Sequence, residues 1–248
     1  MIRLLNGEIC AVTDLKLGQV ISARSRDATS PGGSPFLDWT ARAALILIYG
    51  GAALLGIAGI PHLLPVESFR ELLTAAAHIA NVLFLGLVAV TTITRLVPIK
   101  KSKGIETRIS ALLGTFLSIA LAFLPKVELD PIWSMLSTAL ILVATSLCIV
   151  VLRWLGKSFS ILAEARCLVT DGPYRIVRHP LYLCEMAALV GVTLQVLSPL
   201  AVLIAIAVVA IQCRRMFNEE RILRLAFPEY EAYAARTPFL IPVRLIRS

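Results

Sequence analysis

The chain has 248 residues, of which 58% are hydrophobic and 16% charged, and its mean hydropathy of +0.82 lies outside the range of soluble globular domains. Its net charge of +8 is not accompanied by a basic soluble module or a nucleic-acid-binding motif, which excludes nucleic acid as a partner and assigns the basic residues to a membrane face. Five cysteines without a CxxC pair or disulfide spacing and three scattered histidines exclude a disulfide framework and a zinc cage.

Residues 1–38 are mixed in polarity and end in the turn-forming run Ser30-Pro31-Gly32-Gly33-Ser34-Pro35. They lack the order of a signal peptide and read as an N-terminal cytosolic arm. Residues 39–155 read as a scaffold of four transmembrane helices. About 20 apolar residues span a bilayer core; Ala41–Ile60, Leu72–Thr94 and Ile132–Leu155 meet that length, and the shorter Ile109–Leu124 carries no charge. Ala52 and Gly56 have the small-xxx-small spacing that lets helices approach closely. His78 and Asn81 share one face of the second span. Intramembrane polar residues are functional candidates, but a hydrogen bond between helices is the favoured reading of this pair.

Residues 156–248 differ in character. Leu181–Cys213 is too long for one helix and contains Ser198-Pro199, so it predicts two short helices in a hairpin. The fold class is therefore all-α: a polytopic membrane protein of about six segments with a cytosolic C-terminal segment. All of the 24 basic residues except Arg70 and Lys126 fall on one side of this arrangement, which makes that side, with both termini, cytosolic. The implied location is a bacterial cytoplasmic membrane or, in a eukaryote, the endoplasmic reticulum.

On the same side, Asp171-Gly172-Pro173 is turn chemistry and Pro180 suits a first helical turn, which places His179 at a helix entrance. Free backbone donors at such an entrance favour an anionic group. Glu185 lies about a turn further on, where an unpaired carboxylate is costly and calls for a cation or a polar cavity. Glu219 and Glu220 are adjacent on the exiting helix, pointing about 100° apart. The aromatic segment Phe227–Tyr233 and the run to Pro242 predict an amphipathic cap on the helical core.

Gly172-Pro173-Tyr174, Arg178-His179-Pro180-Leu181-Tyr182, Glu219-Glu220 and Tyr230-x-x-Tyr233-x-x-Arg236 occur together and in this order. The arrangement, over roughly residues 150–245, resembles the isoprenylcysteine carboxyl methyltransferase family and its relatives, the membrane phospholipid methyltransferases. The resemblance implies transfer of a methyl group from S-adenosylmethionine to a lipophilic membrane-embedded acceptor: a carboxylate, amine or phenol on a small molecule, a lipid or a prenylated substrate. It implies that Gly172, Pro173, Tyr174, His179, Pro180, Tyr182, Glu219 and Glu220 surround the cofactor, with Arg178 and Glu220 nearest the reacting centre. Where relatives often carry glycine, this chain has Cys184, large enough to crowd the cofactor.

Methyl transfer from a sulfonium requires alignment and exclusion of water rather than a metal. A carboxylate acceptor suits paired hydrogen bonds from Arg178, whereas an amine or phenol needs a base, for which Glu185 and Glu220 are the candidates. Two other readings stay open at this point: an NADPH-dependent membrane reductase of the sterol or steroid type, which shares an Arg-His-Pro-x-Tyr element, and a non-catalytic membrane protein.

Overall fold

The computed structural model describes residues 35–95, 100–101, 110, 113–114, 117–159 and 164–242. The expected N-terminal arm lies almost wholly outside the described residues, as do most of the second connection and residues 243–248. Part of the expected third span lies there too; within it, residues 117–120 are helical and run into a 3-10 turn at Leu121–Phe123.

Helix α1 (Pro35–Gly59) passes through a 3-10 turn at Ile60–Leu63 and folds back as α2 (Phe69–Thr94). A capping box opens α2: Ser68 Oγ accepts from the Glu71 amide at 3.2 Å, while Glu71 accepts from the Ser68 amide at 3.2 Å. The two helices meet closely at Gly56, where a Cβ would stand 2.5 Å from Val82 Cγ2. His78 Nε2 donates to the Gly56 carbonyl at 2.8 Å; a carbonyl only accepts, so the proton sits on Nε2. Arg42 of α1 donates to the carbonyls of Thr92 and Ile93, placing a cation on the unpaired C-terminal end of α2.

Like α1, which begins at Pro35, three further helices start with proline in the first turn, where the missing N–H is not needed: α3 (Pro131–Leu155), α4 (Pro180–Gln195) and α5 (Pro199–Ala226). Ser198 caps α5 by accepting from the Ala201 amide at 3.1 Å. A short helix, α6 (Tyr230–Arg236), ends the described fold. Sheet pairing among the described residues is confined to a two-residue antiparallel contact of β1 (Lys100–Lys101) with β2 (Glu164–Ala165).

The expected pair of short hairpin helices is corrected in one respect. Helix α4 has 16 residues, but α5 has 28, because no proline or glycine interrupts the chain between Pro199 and Phe227-Pro228. Helix α4 packs chiefly on α3 and only lightly on α5. The α3 contact is close: Ser137 Oγ donates to the Gly191 carbonyl at 2.9 Å, and a Cβ on Gly191 would lie 2.7 Å from Ile141 Cγ1. Helices α4 and α5 therefore leave space between them.

Four helices are long and apolar enough to cross a membrane: Arg42–Leu63, Phe69–Thr94, Pro131–Leu155 and Pro199–Ala226. Helix α4 is apolar but shorter, about 24 Å at 1.5 Å per residue. Large apolar side chains such as Leu47, Leu55, Ile132 and Leu203 point outward, as they do on helices surrounded by hydrocarbon. The molecule is an integral membrane protein.

Candidate functional site

A cavity of about 660 Å³ occupies the space between α4 and α5, with α1, α2 and α3 completing its wall. One part of the wall is apolar, including Ile48, Phe84, Val88, Val192 and Val208; the other gathers Tyr174, Arg178, His179, Tyr182, Glu185, Gln212, Arg215 and Glu219. A largely apolar cavity with a few convergent polar groups is the usual form of a small-molecule site.

Two carboxylates from adjacent positions of α5 organise the polar end differently. Glu220 turns toward the loop before α4. Its Oε1 is 3.0 Å from Arg178 Nη1 and 3.3 Å from His179 Nε2, and its Oε2 is 3.2 Å from Arg224 Nη2. Both oxygens of this carboxylate are therefore occupied by partners within the chain. Glu219 points about 100° away and accepts from the Tyr182 hydroxyl. Below it on the same helix, Arg215 lies over the Tyr182 ring at 5.4 Å and within electrostatic reach of Glu185 and Glu219. Gln212 Nε2 donates to Glu185 Oε2 at 3.2 Å.

The chain segment after α5 closes over this end. The Arg178 amide donates to the Pro238 carbonyl at 2.9 Å, and the Phe239 ring meets the His179 ring edge-on at 4.8 Å. The Arg178 guanidinium lies 5.3 Å from the centre of the same ring. Tyr233 donates its hydroxyl to the Tyr174 carbonyl at 2.7 Å, tying α6 to the 3-10 turn Gly172–Arg175. Burial, and then the nearby Glu219, pushes the Tyr174 phenol up from its ordinary value. Burial, and then Glu220, does the same to Tyr230. Both stay protonated at neutral pH.

Of the residues singled out in the sequence, Tyr174, Arg178, His179, Tyr182, Glu185 and Glu219 stand on the cavity wall. Gly172, Pro173, Pro180 and Glu220 stand behind it. Gly172 has φ +59, and a Cβ there would lie 2.6 Å from the Trp154 ring, so glycine at this position serves the turn and the ring packed on it. Pro180 starts α4 with His179 as its N-cap residue, whose side chain makes no cap hydrogen bond and is spent on Glu220 instead. Cys184 faces Cys148 on α3 and packs against the core around Leu45 and Leu152, so it does not crowd the cavity. Cys148, Cys184 and Cys213 are free thiols, whereas Cys167 is disulfide-bonded, against the expectation that no cysteine pairs.

Gln212, Arg215 and Phe239 were not expected at the site. Gln212, Arg215 and Glu219 follow i, i+3, i+7 spacing, which puts them on one face of α5. That spacing was the available signal. Phe239 had no comparable one, because it arrives through the turn after α6.

The fold and this site define a class: a polytopic membrane protein that encloses a cavity with a charged, hydrogen-bonded end. Residues 132–229 match the family model described as phospholipid methyltransferase. The match spans α3, α4, α5 and their connections. The chain is also similar to the nickel-cobalt-cadmium resistance protein NccN of Alcaligenes xylosoxydans xylosoxydans, with 40% identity over 83 residues, 33% of this chain and 39% of that protein. With the cobalt-zinc-cadmium resistance protein CzcN of Cupriavidus metallidurans it shares 40% identity over 80 residues, 30% of this chain and 35% of that protein. The similarity thus spans well under half of either relative. Among the described residues no three His, Cys, Asp or Glu side chains group as a set able to hold a metal ion.

Proposed function

We propose that this protein is an S-adenosylmethionine-dependent methyltransferase acting on a lipophilic acceptor drawn from the bilayer, with its polar end and both termini on the cytosolic side. The observation that carries this reading is the joining of a charged end and an apolar remainder in one cavity, within the part of the chain that matches the methyltransferase family. The basic-residue count supports the sidedness, since a soluble cofactor must enter from the cytosol.

The residues fit such a cofactor. A volume of about 660 Å³ falls in the range of cofactor sites. Arg178 Nε is buried without an acceptor, a donor suited to a carboxylate. The Tyr182–Glu219 pair offers an acceptor for an amino group or ribose hydroxyls. Tyr174 and His179 complete the pocket, and Glu220, held by Arg178, His179 and Arg224, fixes its geometry without touching the ligand. When bound, S-adenosylmethionine supplies an electrophilic methyl group on sulfur. The remaining tasks fall to the chain: Phe239 and the α6 segment exclude water, the apolar wall holds the acceptor's hydrocarbon part, and Glu185 is the cavity-facing carboxylate available as a base.

Calorimetric titration of the detergent-purified protein with S-adenosylmethionine, S-adenosylhomocysteine and NADPH tests this. Saturable binding of both sulfur nucleotides is expected. Binding of NADPH alone would replace the proposal with a reductase.

A further inference from the structure

The apolar part of the cavity wall carries two polar side chains that the fold does not use. Asn81 lies near the middle of α2 (Phe69–Thr94) and shares the wall with Ala52, Phe84, Leu85 and Ile119. It is exposed to the cavity, and its amide has no hydrogen-bond partner among the described residues. A polar side chain within a membrane helix ordinarily pairs with its surroundings in the protein. His78, one turn earlier, does so by donating to the Gly56 carbonyl at 2.8 Å. On the same wall Ser118 donates to the Gly114 carbonyl at 3.3 Å, and Tyr49 lies within electrostatic reach of Arg215.

Thr145 on α3 is the second. Thr91, Thr92 and Thr94 of α2, Thr138 of α3 and Thr193 of α4 each donate their hydroxyl to the carbonyl four residues back, at 2.7–3.0 Å. Thr145 is buried, with 6% of its surface exposed, and lines the cavity, yet it makes no such bond among the described residues. Both groups lie further into the membrane than the charged end. Val88 of α2 and Cys148 of α3 belong to the buried cluster that holds Tyr174 and Leu181. Asn81 stands two helical turns before Val88, about 11 Å along the axis, and Thr145 stands roughly one turn before Cys148. Unspent hydrogen-bonding groups in hydrocarbon are costly, and a ligand that reaches past the charged end gives them a partner.

Building on the methyltransferase proposal, we infer that Asn81 and Thr145 select an acceptor with a second polar group, an oxygen function (hydroxyl or ketone) set within its apolar skeleton and remote from the methylated position. Asn81 donates an N–H to that oxygen, and accepts from it where it is a hydroxyl. The Thr145 hydroxyl, on the same cavity from α3, offers a further partner along the skeleton. These are specificity-determining residues that take no part in methyl transfer: they distinguish an oxygenated lipophile from an uninterrupted hydrocarbon chain. Asn81 lies outside residues 132–229, the stretch that matches the family model, so this choice is a property of the helices that this chain adds to that stretch.

The test compares matched probes and needs no methyl donor. Tritiated octadecylamine and octadecanoic acid, each with its mid-chain ketone and mid-chain hydroxyl analogue, are bound to the detergent-purified protein in a scintillation proximity assay. S-adenosylhomocysteine affinity is measured on the same preparation. In at least one of the two series the oxygenated analogues should bind roughly fivefold tighter than the plain parent, the usual effect of one added hydrogen bond. Asn81→Leu should abolish that preference and Thr145→Val, which keeps the side-chain shape, should reduce it, with S-adenosylhomocysteine affinity unchanged in both. Equal binding of plain and oxygenated probes in both series, no binding of any of them, or a preference unaltered in both variants would each overturn the inference and leave the methyltransferase proposal standing. Should the variants not fold, the position of the ketone decides on the wild-type protein: a ketone beside the head group or at the chain end should bring no gain, and an equal gain at every position would refute the inference. Failure of S-adenosylhomocysteine to bind the wild-type protein would instead remove the underlying proposal.

Discussion

The α1–α2 pair and the α4–α5 pair both join two membrane helices through a short turn, yet they use polar residues in opposite ways. Between α1 and α2 the backbones close at Gly56, and His78 spends its donor on the Gly56 carbonyl. Between α4 and α5 the helices part, because α4 is held to α3 through Gly191 and Ser137. There Tyr182, Glu185, Gln212, Arg215 and Glu219 face a cavity. Where small residues let helices meet, a polar side chain becomes a link between them. Where the helices are held apart, the same kind of side chain becomes a wall with chemistry to offer.

The strongest way to break the contrast is at Glu220, whose carboxylate meets Arg178, His179 and Arg224. Glu220→Ala leaves the buried Arg178 guanidinium without its counter-charge and the His179 imidazole without its hydrogen-bond partner, a loss on the order of 3–5 kcal/mol for a buried pair. We expect abolished S-adenosylmethionine binding in calorimetry and a lower unfolding temperature, with membrane insertion retained. Unchanged cofactor affinity would mean that the polar end is structural only. Tyr182→Phe is a milder cut: it removes the hydroxyl that donates to Glu219 while keeping the ring under Arg215. A hydrogen bond to a charged group contributes about 1.5–3 kcal/mol, so thermal stability should fall less than in Glu220→Ala, and cofactor affinity should fall because Glu219 loses the donor that orients it.

Gly172→Ala sharpens the comparison by separating support from contact. Alanine at positive φ costs roughly 1–2 kcal/mol, and the added methyl also meets the Trp154 ring. Thermal unfolding should show the loss, and adding Trp154→Ala should recover the steric share but not the backbone share. If Gly172→Ala instead left stability intact and reduced cofactor affinity, the turn would be a direct contact.

Much of this is legible in the sequence. The start of α4 at Pro180 followed from proline's missing donor, and the divergence of Glu219 and Glu220 from helical geometry alone. Helices α1, α2 and α3 followed from length and hydropathy, but of the about six segments expected, four described helices are long and apolar enough to cross a membrane. The reasons for the gaps are physical. Whether α4 packs on α3 or α5 depends on Gly191 meeting Ile141, a contact between residues distant in sequence that no local period encodes. Phe239 reaches His179 only because the chain turns after α6, and turn geometry, not hydropathy, decides that. Cys184 invited a forecast of crowding because sequence gives a side chain's size and not its direction; it points at Cys148.

His78 and Asn81 give the finest test, because sequence places them on one face and the structure divides them. His78 Nε2 donates to the Gly56 carbonyl, whereas Asn81 lines the cavity. His78→Ala removes a link between helices, and such bonds in membrane proteins average about 0.6 kcal/mol, reaching roughly 1.7 at most. A small drop in unfolding temperature is expected, with cofactor and acceptor binding unchanged. Asn81→Ala should show the reverse: stability held and acceptor binding altered. The magnitude for His78 is small because an unsatisfied histidine in a bilayer finds other partners. The value of the pair lies in its sign pattern, since one turn of α2 separates a residue consumed by packing from one left to the cavity. Equal effects from both substitutions, on stability or on binding, would remove the distinction between the two helix pairs.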